Sequence, residues 1–185
     1  MPDPASKPGG KRAMIILTAF FICAVLLRLG SVVISRKNEA LLRAQGAEEY
    51  GATNSRFIAV LHTAFYIAAF AEGAWRGSRL DELAGFGLIL YAGAMLALFY
   101  VIRELGNLWT IKVLIAPGRV LKQSWLFRNI RHPNYYLNII PELLALTLIM
   151  KAWLTLAIMF PAYLAALACR IRIEEAVLRE RFSAY

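Results

Sequence analysis

The length of the apolar runs is what most constrains this chain. Residues 13–34, 56–75 and 84–102 are each long enough to cross a hydrocarbon layer, which takes roughly 17–25 helical residues. Backbone inside lipid must satisfy its own N–H and C=O groups, so each run has to be a helix. Two shorter runs, 137–150 and 152–168, flank Lys151. At about 1.5 Å per residue the first is near 21 Å long, short for a crossing unless Tyr135 and Tyr136 extend it. A tilted or kinked hairpin is expected there, with Pro141 and Pro161 as kink sites. The expected fold is all-α: a polytopic membrane protein with about five transmembrane helices, a C-terminal helical hairpin, and a cytoplasmic amphipathic helix over 170–185. Of the 185 residues, 59% are hydrophobic and 18% charged, against about 45–50% and 25% in a soluble domain. A disordered chain, a fibrous repeat and a free-standing soluble enzyme are excluded on that footing.

The connections carry the charge. Residues 1–12 hold three prolines and scattered charge and are expected to form a disordered tail, leaving 13–185 as one domain. The first run begins after Lys7, Lys11 and Arg12 but is long for a signal peptide and lacks a small-x-small cleavage site, so an uncleaved first helix is expected. Residues 35–55 are polar and helix-prone, and read as an interfacial connector with a break at Gly51. Residues 103–136 form a long, mostly irregular loop, and a loop of that length is usually functional or disordered. Its apolar residues Leu108, Trp109, Ile111, Val113, Leu121, Trp125 and Phe127 argue for order.

With five crossings, one side of the membrane would hold six Lys and Arg and the other fourteen, with Arg28 inside the first helix completing the 21. The positive-inside rule then places the long loop and the C-terminus in the cytoplasm. The net charge of +9 sits between apolar blocks rather than on one soluble patch, which argues against nucleic acid. Cys23 and Cys169 have neither a CxxC partner nor a nearby histidine, so no metal site is expected and two buried free thiols are the simplest reading.

Polar residues set into apolar helices are costly and point to function. Arg131-His132-Pro133-Asn134-Tyr135-Tyr136 opens a helix, with Pro133 suited to its first turn and free N–H groups able to hold an anion. Tyr135, Asn138 and Glu142 follow at i, i+3 and i+7 and share a face. Glu142 would act on a ligand or pair structurally, for example with Arg28. Arg170 and Glu174 stand at i, i+4 where the last helix leaves the membrane. His62 and Glu72 in the second run are about 80° apart around their helix and could line one cavity.

Arg-His-Pro-Asn-Tyr, two membrane helices and then Arg-x-x-x-Glu-Glu together resemble the isoprenylcysteine carboxyl methyltransferase family of integral membrane enzymes. The likeness runs from about Leu105 to the C-terminus, and more loosely over the whole chain. It implies S-adenosylmethionine as cofactor, held mainly by the part from about 103 to 185. His132, Pro133, Asn134 and Tyr135 match the family's His-Pro-x-Tyr cofactor segment. Arg119, Val120, Leu121 and Lys122 match a stretch whose backbone holds the cofactor. Phe127 stands where the family usually has tyrosine, and Trp125 where it has glycine. Glu174 matches a cofactor-binding glutamate, and Arg170 an arginine near the reacting substrate.

Methyl transfer from a sulfonium is an in-line displacement, so the enzyme must chiefly align the partners. A water-soluble cofactor calls for a pocket facing the cytoplasm, and a lipophilic substrate would enter from the bilayer. A prenylcysteine-type carboxylate is already ionised at neutral pH and needs no base, and Arg170 could orient it. A phenol or pyrone hydroxyl would profit from one. Glu142 is the first candidate for base or orienter, with His62 and Glu72 second and Asn138 a further substrate contact. The stretch from Leu105 to Lys112 and the His-Pro-Asn-Tyr with Glu142 look like a bacterial branch of the family, which includes O-methyltransferases of long-chain phenols and pyrones. That would place the protein in a bacterial cytoplasmic membrane. Phospholipid N-methyltransferases and nicotinamide-dependent membrane reductases have a similar C-terminal pattern. In a non-enzymatic membrane subunit the same motifs would only pin helix ends.

Overall fold

The structure, a computed structural model, describes residues 8–117 and 124–181, with the side chains of residues 8–10 left aside. Its elements in chain order are α1 (Pro8–Ala44), β1 (Glu48–Tyr50), α2 (Ala52–Arg76), α3 (Glu82–Leu105), β2 (Val113–Ile115), α4 (Trp125–Asn129), α5 (Asn134–Met150) and α6 (Trp153–Arg181). The fold is an all-α membrane bundle with one small sheet. Among the described residues four helices are long and apolar enough to cross a membrane: Lys11–Ala44, Ala52–Arg76, Glu82–Leu108 and Trp153–Arg181. The fifth, α5, is shorter than these and is extended by Tyr135 and Tyr136.

Several boundaries differ from the sequence expectation. Helix α1 starts at Pro8, inside the stretch expected to be a tail, and runs unbroken to Ala44. The helix-prone connector expected over 35–55 is accordingly mostly helix, since its Glu, Lys and Arg residues are good helix formers. The expected break at Gly51 is present: its φ of 63° is left-handed, a conformation glycine adopts without steric cost. The last apolar run and the amphipathic tail are one continuous helix of 29 residues, since nothing between Ala168 and Arg170 can stop a helix. Cys23 and Cys169 are exposed rather than buried.

Helix α5 is the centre of the bundle. Leu143, Ala145, Leu146, Thr147 and Ile149 have no exposed surface. Its first part, Asn134–Ile139, is wound as a wider π-helix. Pro141 follows directly, and a proline clashes with the carbonyl four residues before it, which the widened turn relieves. Exposed apolar residues such as Ile15, Leu26, Val33, Val60, Ile67 and Ile89 lie on the outer helices, as a lipid-facing surface requires.

Without a hydrophobic drive between helices in lipid, close approach depends on small residues. Gly87 of α3 and Gly73 of α2 both lie against α5: a Cβ on Gly87 would fall 2.8 Å from Ile149 Cγ1, and one on Gly73 would fall 2.8 Å from the Met150 carbonyl oxygen. Backbone cannot yield there as a side-chain tip could. Gly73→Ala is expected to cost about 1–3 kcal/mol through this overlap, read as a lower unfolding midpoint in detergent. An unchanged midpoint would mean that α2 and α5 can separate freely.

The described parts of the long loop are ordered, as its apolar residues suggest. A 3-10 turn at Gly106–Leu108 follows α3, and β2 pairs antiparallel with β1 in the register Glu48↔Ile115, Glu49↔Leu114, Tyr50↔Val113. Strand side chains alternate between faces. Leu114 accordingly packs with Leu42 of α1, while Val113 and Ile115 pack with Val177 of α6. The sheet thus ties the ends of the first and last helices together beneath the site.

Candidate functional site

Four helices carry polar residues seven positions apart: Arg28 and Ser35 on α1, Ser55 and His62 on α2, Tyr135 and Glu142 on α5, Tyr163 and Arg170 on α6. Seven residues are close to two full turns, so both members of each pair lie on one face about 10 Å apart along the axis. Because α1 and α6 run one way and α2 and α5 the other, these residues gather into two polar layers. One lies at the end of the bundle near the β-pair, the other two turns deeper.

The layer near the sheet is built around Arg170, which is 3% exposed. Its Nε donates to Glu174 Oε1 at 3.1 Å and to the Tyr135 hydroxyl at 3.3 Å, Nη1 to Ser55 Oγ, and Nη2 to the Ile111 carbonyl. The Ile111 N–H in turn donates to Ser35 Oγ. Asn38 fixes the same segment by donating to the carbonyls of Gly106 and Trp109. Tyr135 donates to Glu174 Oε1. His132 bridges the acidic pair, with Nδ1 3.3 Å from Glu174 Oε2 and Nε2 3.4 Å from Glu175 Oε1. Its ring stacks on Tyr135, with centroids 5.6 Å apart and planes 14° from parallel.

Burial pushes the His132 pKa down, but the bonds and charges of Glu174 and Glu175 outweigh it and hold it above the ordinary imidazole value. A raised folded pKa gives stability that is complete below the unfolded value and is lost as pH rises through the folded one. The thermal stability lost in His132→Gln should therefore be larger near about pH 6 than near about pH 9. Equal losses at both would mean that the imidazole is neutral between the two carboxylates.

The deeper layer centres on Glu142, which is fully buried. Arg28 Nε donates to its Oε1 at 2.5 Å, and Arg28 Nη2 pairs with its Oε2. The Tyr66 hydroxyl also donates to Oε1. Arg28 Nη2 reaches Asn138 Oδ1 at 3.2 Å, and Asn138 Nδ2 donates to Asn134 Oδ1 at 3.1 Å. Asn134 and Asn138 thus link the deep layer back toward the start of α5. His62 Nδ1 lies 3.1 Å from the Tyr163 hydroxyl, and its Nε2 lies 3.9 Å from Glu142 Oε1.

The structure brings His132, Pro133, Tyr135, Arg170 and Glu174 into one layer, and His62, Asn138 and Glu142 into the other. Phe127 of α4 is half-buried and packs against the core, while Trp125 is exposed. Arg119, Val120, Leu121 and Lys122 lie outside the described residues.

Glu72 does not join His62. It accepts from the N–H groups of Leu154 and Thr155, from Thr155 Oγ1 and from Arg76 Nε. It caps the start of α6 at the opposite end of the bundle, where an acidic group satisfies the orphan N–H groups of a helix N-terminus. Ten residues of helix rise about 15 Å, which separates the pair more than their angle about the axis does. The sequence reading missed Ser35, Asn38, Ser55, Tyr66 and Tyr163. For Ser35, Ser55 and Tyr163, the shared seven-residue spacing was the available signal.

Glu174 and Glu175 keep roughly a fifth to a quarter of their side-chain surface open, 21% and 26%. Beside them lies the His132–Tyr135 stack. Trp109 Nε1 and Ser124 Oγ are buried without a hydrogen-bond partner among the described residues. Paired carboxylates and stacked rings fit a cationic, partly aromatic cofactor.

A model of the Isoprenylcysteine carboxyl methyltransferase (ICMT) family matches residues 86–180. An uncharacterized protein of Haemophilus influenzae is 40% identical over 169 residues, covering 91% of this chain and 98% of its own. The uncharacterized protein YpbQ of Bacillus subtilis is 26% identical over 164 residues, covering 87% and 96%. No solved structure matches significantly.

Proposed function

The chain belongs to the isoprenylcysteine carboxyl methyltransferase family of membrane methyltransferases, and from that premise we propose that it O-methylates a neutral hydroxyl group of a lipophilic molecule. One observation favours a hydroxyl over a carboxylate acceptor. The arginine of each layer is already neutralised, Arg28 by Glu142 and Arg170 by Glu174, and all three Arg170 nitrogens donate to protein acceptors. An anionic acceptor in either layer would be a buried charge without a counter-ion, which is expensive. A phenol- or enol-type hydroxyl carries no such cost.

S-adenosylmethionine, when bound, supplies the methyl group on a sulfonium sulfur. Glu174, with Glu175 beside it, takes the cofactor's ammonium, and Tyr135 and His132 offer ring faces that favour a cation. Pro133 and Asn134 open the helix behind those rings, and Phe127 forms part of the wall. Arg170 holds Tyr135 and Glu174 in register. Glu142, locked by Arg28 and Tyr66, orients the acceptor from below, with Asn138 between the layers. The acceptor reaches the site from the bilayer. The excess of Lys and Arg at the β-pair end supports a cytoplasmic cofactor site, and so a bacterial cytoplasmic membrane with the C-terminus inside.

The test uses membranes holding the full chain, methyl-labelled S-adenosylmethionine and a lipid extract. Label in the organic phase that resists mild base is expected. Label released as methanol would mean a methyl ester and a carboxylate acceptor, and would overturn the reading. Mass spectrometry then separates an ether from a methylated amine.

A further inference from the structure

We infer that His62, through its Nε2, is the group that takes the proton from the acceptor hydroxyl, and that Glu142 positions rather than accepts. This rests on the O-methylation of a neutral hydroxyl proposed above. Glu142 is poorly suited to the task, because Arg28 holds both its oxygens and Tyr66 donates to one of them. His62 Nε2, by contrast, is buried and has no hydrogen-bond partner among the described residues. The nearest acidic atom, Glu142 Oε1, is 3.9 Å away, beyond hydrogen-bond length.

The other ring nitrogen is anchored. Nδ1 meets the hydroxyl of Tyr163, which has no exposed surface, at 3.1 Å. With its hydrogen on Nδ1 and donated to Tyr163, the imidazole presents a bare Nε2 lone pair. The ring also packs against Tyr66, with centroids 5.1 Å apart.

The step balances within these groups. The hydroxyl oxygen forms the new O–CH3 bond with its lone pair as its proton passes to Nε2. The S–CH3 bond breaks, and its electron pair stays on sulfur. The imidazolium formed lies beside the Glu142 carboxylate and later loses its proton to solvent. The titratable and charged groups around His62 are Arg28 of α1, Tyr66 of its own helix, Tyr91 of α3 next to Tyr66, Glu142 of α5 and Tyr163 of α6.

Two variants separate the base from a structural histidine. His62→Asn keeps a polar group near the Nδ1 position, and His62→Gln keeps one near Nε2, but neither can accept a proton. With pentadecylphenol as acceptor, both should lower kcat by at least about a hundredfold at neutral pH while KM changes little. The wild-type rate should fall as pH drops and the imidazole is protonated, whereas both variants should be slow at every pH.

A readout independent of turnover is also available, because the chain has only two histidines, His62 and His132. In nanodiscs, one labelled-histidine resonance should disappear in His62→Gln. In wild type, pentadecylphenol without cofactor should shift the titration of that resonance, and its methyl ether should not. A His62 resonance indifferent to the phenol, or a kcat within about threefold of wild type in both variants, overturns the assignment and leaves O-methylation standing. No transfer to any hydroxylated lipid by wild type overturns both.

Discussion

Arg28→Met should destabilise the protein by about 3–5 kcal/mol, among the largest effects of any single substitution. Removing one partner of a buried ion pair leaves the other charge uncompensated, and that penalty exceeds what the pair itself contributed. Glu142 is fully buried on the central helix and has no second cation within reach among its partners. The damage also reaches α1, whose membrane window is only 17% buried. Its other ties include ring contacts such as Phe20 with Tyr91 and Phe21 with Phe70, the Ser35 and Asn38 bonds and Leu42 against Leu114 near its end. Denaturant titration in micelles measures the loss. Adding Glu142→Gln to Arg28→Met should recover most of it, since the orphaned charge goes. A single variant within about 1 kcal/mol of wild type would mean that Glu142 is neutral in the bundle.

Glu174→Gln should weaken S-adenosylmethionine binding by roughly tenfold to a hundredfold. The amide keeps the shape but loses the charge. A hydrogen bond to a charged group contributes about 1.5–3 kcal/mol, and each 1.4 kcal/mol is a factor of ten in affinity. The variant also removes the counter-ion of Arg170, which loosens the group that holds Tyr135. Glu175→Gln should cost much less, because among the described residues Glu175 meets His132 and the exposed Arg179. Calorimetric titration with S-adenosylhomocysteine measures both. Equal losses would move the ammonium from Glu174 to the space between the two carboxylates. No loss in either would remove the cofactor from this layer.

Much of the architecture was legible because lipid leaves a helix few alternatives. The apolar run lengths specified the helices, Gly51 specified a break, the cost of intramembrane charge singled out Arg28 and Glu142, and the i, i+4 spacing to Glu174 singled out Arg170. Boundaries were harder to read. Charge does not end a helix, so α1 and α6 continue well past their apolar parts. Three-residue strands are too short to leave a period in the sequence, so the β1–β2 pair was invisible until Leu114 met Leu42 and Val113 met Val177.

The sequence by itself determined that this is a helical membrane bundle of a known methyltransferase family, with its polar residues confined to a few positions. Motif and composition suffice for that, because both are local properties of the chain. Which polar residues meet was decided only by tertiary structure. Glu72 and His62 share a helix, yet one caps α6 and the other joins Glu142 two helices away. Partners are set by the direction and depth of neighbouring helices, and no single helix encodes those. The two-layer arrangement exists only because four helices, α1 and α6 running one way and α2 and α5 the other, bring their seven-residue pairs to the same two levels.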